Sequence, residues 1–85
     1  MTKDIQKEYN IAIKVTREQI EREREVLESH GYISAALINE AGKHGSTFNA
    51  YLRNEISYNG LLKIYNYLDG FSQAILYGNE YKSKA

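Results

Sequence analysis

Two short apolar clusters flank a pair of small residues, and this arrangement constrains the chain most. In Leu37-Ile-Asn-Glu-Ala-Gly-Lys-His-Gly-Ser-Thr-Phe-Asn-Ala-Tyr-Leu52, Leu37 and Ala41 precede Gly42, and Phe48, Tyr51 and Leu52 follow it. The gap between Ala41 and Phe48 suits two short helices that cross over one shared core. Gly42 stands where the first of them should stop, because glycine reaches the left-handed conformation of a helix end without a Cβ clash. Ser46 or His44 is placed to start the second. An ordinary αα-hairpin would satisfy the same apolar spacing, so the pattern fixes packing before it fixes function.

The rest of the chain reads as helix around this centre. It has 85 residues and no proline, which removes the commonest helix breaker. Thr16 and Gln19 have the spacing of a capping box, and 16–29 is dense in Glu and Arg, so a helix is expected there. Over 2–15 two patterns compete. Tyr9, Ile11, Ile13 and Val15 alternate as in a strand, whereas Ile5, Tyr9, Ile13, Thr16, Ile20 and Leu27 follow one helical stripe. The helix is favoured, because Ala74-Ile-Leu-Tyr77 is the one plausible mate for a strand. Ile13, Ile20 and Leu27 are spaced by heptads, which raises a pairing face for a second copy; Glu23 interrupts it.

His30-Gly31 is expected to end the first helix, with Tyr32 and Ile33 entering the core. Ser34 is placed to cap a helix over 35–41, and the second helix of the pair should cover about 46–54. Asn54 to Asn59 reads as a polar connection. Leu61, Leu62, Ile64, Tyr65 and Leu68 give a further helix over 60–69, which Asp69-Gly70 should stop. A last short helix over 71–77 and a polar, frayed tail over Tyr81–Ala85 complete the expectation.

Composition narrows the function classes. There is no cysteine, so disulfides and thiolate metal sites are excluded. No apolar run is long enough to span a bilayer and no signal peptide is seen, so a soluble, cytoplasmic protein is expected. Lys plus Arg equal Asp plus Glu at 11 each, which argues against a strongly basic nucleic-acid binder but leaves room for a local patch. Residues 1–29 hold six basic and seven acidic residues; 30–66 hold Lys43, Arg53 and Lys63 against Glu40 and Glu55. Eight tyrosines, Tyr58, Tyr65, Tyr67 and Tyr77 among them, point to core edges or an interface. His30 and His44 lack carboxylates at ligand spacing, and Gly42-Lys-His-Gly-Ser-Thr lacks the phosphate-loop spacing. No nucleophile, base and orienting group can be assembled. A non-enzyme without metal or cofactor is expected.

From Leu27 to Asn54 the chain resembles the repressor/Cro-like helix-turn-helix family, the xenobiotic-response-element type. Leu27 and Gly31 match the close of that family's first helix, and Ser34 the first residue of its second. Leu37-Ile38 fall where its pair leucine–alanine usually stands, Ala41-Gly42 on the alanine–glycine of its turn, and Ser46-Thr47-Phe48 and Tyr51 on its recognition helix. Leu61-Leu-Lys-Ile and Leu68 resemble its next helix. The resemblance implies an all-α, lambda-repressor-like domain of five helices that binds double-stranded operator DNA, commonly as a homodimer, with the second helix of the motif in the major groove. It implies base contacts from His44, Ser46 and Asn49 and phosphate contacts from Ser34, Lys43 and Arg53, with Gly45 and Ala50 also facing the groove. On this reading 1–85 is a single domain: a charged helical segment over 1–29, the helix-turn-helix core over 30–70, and a helix end and tail over 71–85.

A second expectation belongs to another class. A protein-interaction module on the same scaffold, such as an antirepressor, an inhibitor or an antitoxin-like partner, fits the zero net charge and the tyrosine excess. It also fits a reading helix without Arg or Gln.

Overall fold

The computed structural model describes the backbone of residues 2–84 and the side chains of residues 4–77. The described residues form four α-helices and no strand: α1 (Thr2–Ser29), α2 (Ser34–Gly42), α3 (Thr47–Leu52) and α4 (Tyr58–Lys84). The contested segment 2–15 is helix, continuous with 16–29. No glycine or proline interrupts residues 2–29. Thr16 does not open a helix there. It lies inside α1, buried, and its hydroxyl donates back to the Ala12 carbonyl at 2.8 Å.

Asp69-Gly70 does not stop a helix either. A glycine inside a helix costs about 1 kcal/mol relative to alanine. Leu68 is fully buried before it, and Phe71 and Ile75 pack on the same core after it. That burial outweighs the local cost, so the two helices expected over 60–69 and 71–77 are one. The tail expected over Tyr81–Ala85 falls within α4 as far as Lys84; Ala85 and the side chains beyond Tyr77 lie outside the described residues.

Every helix contributes to one core. Ile20 and Leu27 come from α1, Leu37 and Ile38 from α2, Tyr51 from α3, and Leu61, Ile64 and Leu68 from α4. The rings of Tyr9 and Tyr58 meet at 5.6 Å and those of Tyr32 and Phe71 at 6.1 Å, so α1 and α4 run in the same direction. Parallel neighbours need a crossover, which α2 and α3 supply. The heptad positions Ile20 and Leu27 are wholly spent against this core. They offer no face to a second copy, which corrects the pairing surface expected from their spacing. Tyr32 and Ile33 do not enter the core: Ile33 is 68% exposed, and Ser34 takes the interior place beside it. Leu52 is also outside, at 53% exposed.

Three helices end in the same way. The N–H of Tyr32 reaches the Leu27 carbonyl at 3.0 Å, that of His44 the Asn39 carbonyl at 3.1 Å, and that of Glu55 the Ala50 carbonyl at 2.9 Å. Each bond needs a left-handed residue just before its donor, and these are Gly31 (φ 87°), Lys43 (φ 56°) and Asn54 (φ 59°). The left-handed residue after α2 is thus Lys43, not Gly42. Gly42 is required for a different reason. A Cβ there would lie 2.3 Å from Thr47 Oγ1 and 2.5 Å from Thr47 Cγ2.

Gly42→Ala should therefore destabilise the fold by about 1–3 kcal/mol, the usual cost of overpacking a tight contact. Adding Thr47→Ala, which deletes both nearest atoms, should recover part of that loss in urea melts. An additive double variant would contradict the proposed clash.

Candidate nucleic-acid interface

The interface begins with how a six-residue helix is held. Isolated helices this short do not persist in water, so α3 depends on neighbours. Its inward residues are Phe48, half-buried, and Tyr51, fully buried. Its start is capped from α2: Asn39 Oδ1 accepts the Phe48 N–H at 2.8 Å. Ser46 stands at the cap position but makes no side-chain capping bond. Thr47 donates its hydroxyl to the His44 carbonyl at 2.9 Å, which closes the turn.

From the other side α1 reaches across. Arg17 donates to the Tyr51 carbonyl at 3.0 Å, and its guanidinium lies 4.3 Å from the centre of the Tyr51 ring. The Tyr51 hydroxyl donates to Glu21 Oε2 at 2.5 Å. Arg24 binds both Glu21 oxygens, at 3.0 and 2.9 Å, and its Nε donates to Ser34 Oγ at 3.0 Å. Its guanidinium also lies 5.0 Å from the Phe48 ring centre. Glu28 completes the chain by accepting the Ser34 N–H at 2.7 Å, which satisfies a donor at the start of α2.

This chain sets the ionisation of its members. Burial and then the Glu21 hydrogen bond push the Tyr51 phenol well above its ordinary value. Burial also works to raise Glu21, but the bonds from Tyr51 and Arg24 together outweigh it and hold the carboxyl below its ordinary range. The bonds from Ser34, backbone first, lower Glu28.

The residues expected to contact DNA are placed unequally. Lys43, His44, Ser46, Asn49 and Arg53 are all exposed, along the turn and the outer side of α3. Ser34 is not among them. It is fully buried, and both its hydroxyl and its N–H are engaged, so it has no surface to offer a phosphate. Within the turn, His44 Nδ1 takes the Ser46 N–H at 3.1 Å and meets the Ser46 hydroxyl at 2.7 Å. Arg53 Nε lies 3.4 Å from Glu55. Asn49 has no side-chain hydrogen bond among the described residues, so its amide is free for a ligand.

Two features escaped sequence reasoning. Lys63, on the second turn of α4, lines the same cleft as Lys43 and His44. Its only sequence signal was being the third basic residue of a sparsely charged stretch. Arg17 and Arg24 read as solvated helix charges, because their partners on α2 and α3 lie 10 to 34 residues away.

Stability should peak on a plateau between about pH 5 and pH 9. Glu21 and Glu28 are depressed, so their contribution is present above the ordinary carboxylate pKa and is lost as pH falls. Tyr51 is raised, so its contribution is present below the ordinary phenol pKa and is lost as pH rises. Tyr51→Phe should cost about 1 kcal/mol at neutral pH, since its carboxylate partner is half-exposed, and should flatten the alkaline limb. Melting curves from pH 4 to about pH 11 check both; an unchanged alkaline limb would show that Tyr51 does not drive it.

No family model, no curated protein and no solved structure matches the chain.

Proposed function

We propose that the chain is a small DNA-binding regulator whose α2, turn and α3 act as a helix-turn-helix of the repressor/Cro-like kind. One observation carries this reading. From Ala41 to Asn54 there is no carboxylate, and Lys43, His44, Ser46, Asn49 and Arg53 all stand exposed along that stretch. A neutral chain thereby keeps a stretch along which Lys43 has no ion-pair partner among the described side chains and Arg53 is shared with Glu55. On that stretch Asn49 is the group able to read adenine through paired hydrogen bonds, and Lys43 and Arg53 are the groups able to position a phosphate backbone. Lys43 holds a left-handed conformation that a glycine would adopt without strain. A strained lysine where glycine suffices favours a role for its charge. Few cations make the contact weak, so two protomers on a two-fold operator are part of the proposal.

The second reading, a protein-binding module, draws on different surface. Ile5, Ile11 and Val15 are exposed on α1, and Leu52 is exposed on α3. A protein partner would bury them, whereas a DNA backbone would not.

Lys43→Gly with Arg53→Ala separates the two readings. The glycine relieves the left-handed strain and should raise stability by about 0.5–1 kcal/mol at that position. Retention on random duplex DNA at low salt should nevertheless drop by tenfold or more. The parent protein should show a log–log salt slope of about −2 to −3 per protomer. No retention of the parent at low salt would sink the DNA reading and leave the module.

A further inference from the structure

The turn after α2 and the first two turns of α4 enclose an open cleft of about 670 Å3. Its floor is apolar, formed by Ala50, Ile56 and Ile64 among others. Its rim carries Lys43, His44 and Lys63, and none of its lining residues is acidic. Acidic and basic residues are equal in number along the chain, so this segregation departs from the average surface. Two of the nearby acids have their partners outside the cleft. Glu40 accepts the Tyr67 hydroxyl at 2.9 Å, and Glu55 lies beside Arg53. Neither lysine has an ion-pair partner among the described side chains. Because His44 Nδ1 takes the Ser46 N–H, the neutral ring carries its proton on Nε2 and presents it as a donor.

We infer that this cleft binds a small phosphate monoester bearing a flat apolar group. The phosphate oxygens bind Lys43 and Lys63, with His44 as a further donor, and the apolar group lies over Ala50, Ile56 and Ile64. A monoester carries a charge of about −1.5 to −2 at neutral pH, which suits two ammonium groups better than the single charge of a backbone phosphodiester. The volume falls among those of small-molecule sites, and the division into apolar floor and few polar groups is the one such sites share. The inference does not rest on the DNA reading. It shares Lys43 and His44 with it, so where both hold, monoester and DNA exclude one another.

The test is a titration of the whole chain, without DNA, followed by amide resonances in solution. Phenyl phosphate is the probe, with inorganic phosphate and benzyl alcohol standing in for its anionic and aromatic parts. Phenyl phosphate should shift the resonances of residues 42–47 and 60–64 saturably, with a Kd on the order of 1 mM for so small a ligand. Inorganic phosphate should bind about tenfold more weakly, and benzyl alcohol should not saturate. Lys63→Gln, at an exposed position, should weaken phenyl phosphate about tenfold with an unchanged melting curve. Lys43→Gln should do the same if the Lys63 variant does not fold. Lys14→Gln, on α1, should have no effect. Saturation by benzyl alcohol would make the cleft an apolar groove without anion recognition and overturn the proposal. Equal binding of inorganic phosphate, or a Lys63 variant that binds as the parent does, would also overturn it. Because no DNA is present, failure here leaves the retention experiment standing, and the reverse holds too.

Discussion

The buried hydroxyl of Tyr51 organises the structure. A phenol brought out of water must find a partner, and the one it finds is Glu21 of α1. Glu21 is in turn held by Arg24, and Arg24 reaches Ser34 at the start of α2. A single run of hydrogen bonds therefore ties α3 and α2 to one turn of α1. Without it α3 is a six-residue helix with two apolar anchors, too short to persist alone. Arg17 braces the same tyrosine from its ring face and its carbonyl. The outward side of α3, where Asn49 stands, is rigid to the degree that this inward side is satisfied.

The same reasoning explains where sequence and structure part. The two short helices of 37–52 were legible because apolar spacing reports packing directly: Leu37, Ile38, Phe48 and Tyr51 all face inward. The turn's chemistry was less so. A glycine in sequence offers two physical reasons for its presence, conformational freedom and absence of a Cβ. At Gly31 the first applies, with φ 87°. At Gly42 the second applies, because Thr47 occupies the space a Cβ would fill. The left-handed duty then passes to Lys43, a residue no propensity would choose. Nothing local distinguishes the two cases; the position of Thr47, five residues on, decides.

Local start and stop signals failed for a related reason. Thr16 and Gln19 form a plausible box and Asp69-Gly70 a plausible end, yet α1 and α4 run through both. Each signal is worth about 1 kcal/mol. The burial of Ile20 and Leu27 on one helix, and of Leu68 on the other, is worth more than that per residue. Ser34 shows the complement. Its polarity suggested a cap and the resemblance implied a phosphate contact, but its hydroxyl instead receives Arg24 inside a helix junction. The core could be inferred from apolar period alone, while the polar chain through Glu21 and Arg24 could not, since its partners are far apart in sequence and share no spacing rule.

Net charge is the last point on which totals mislead. The excess acid of residues 1–29 lies along α1, and Glu21 and Glu28 are consumed in holding helices together. Glu40 and Glu55, the two acids near the turn, are occupied by Tyr67 and Arg53. The carboxylates that balance the chain on paper are thus bound or lie off the turn, and Lys43 and Lys63 line their cleft without a lining acid. Screening limits an exposed charge to about 8–10 Å in physiological salt, so an approaching anion responds to that local set and not to the total. A chain of zero net charge can therefore present a cationic face, because no acid lines the cleft that Lys43 and Lys63 share.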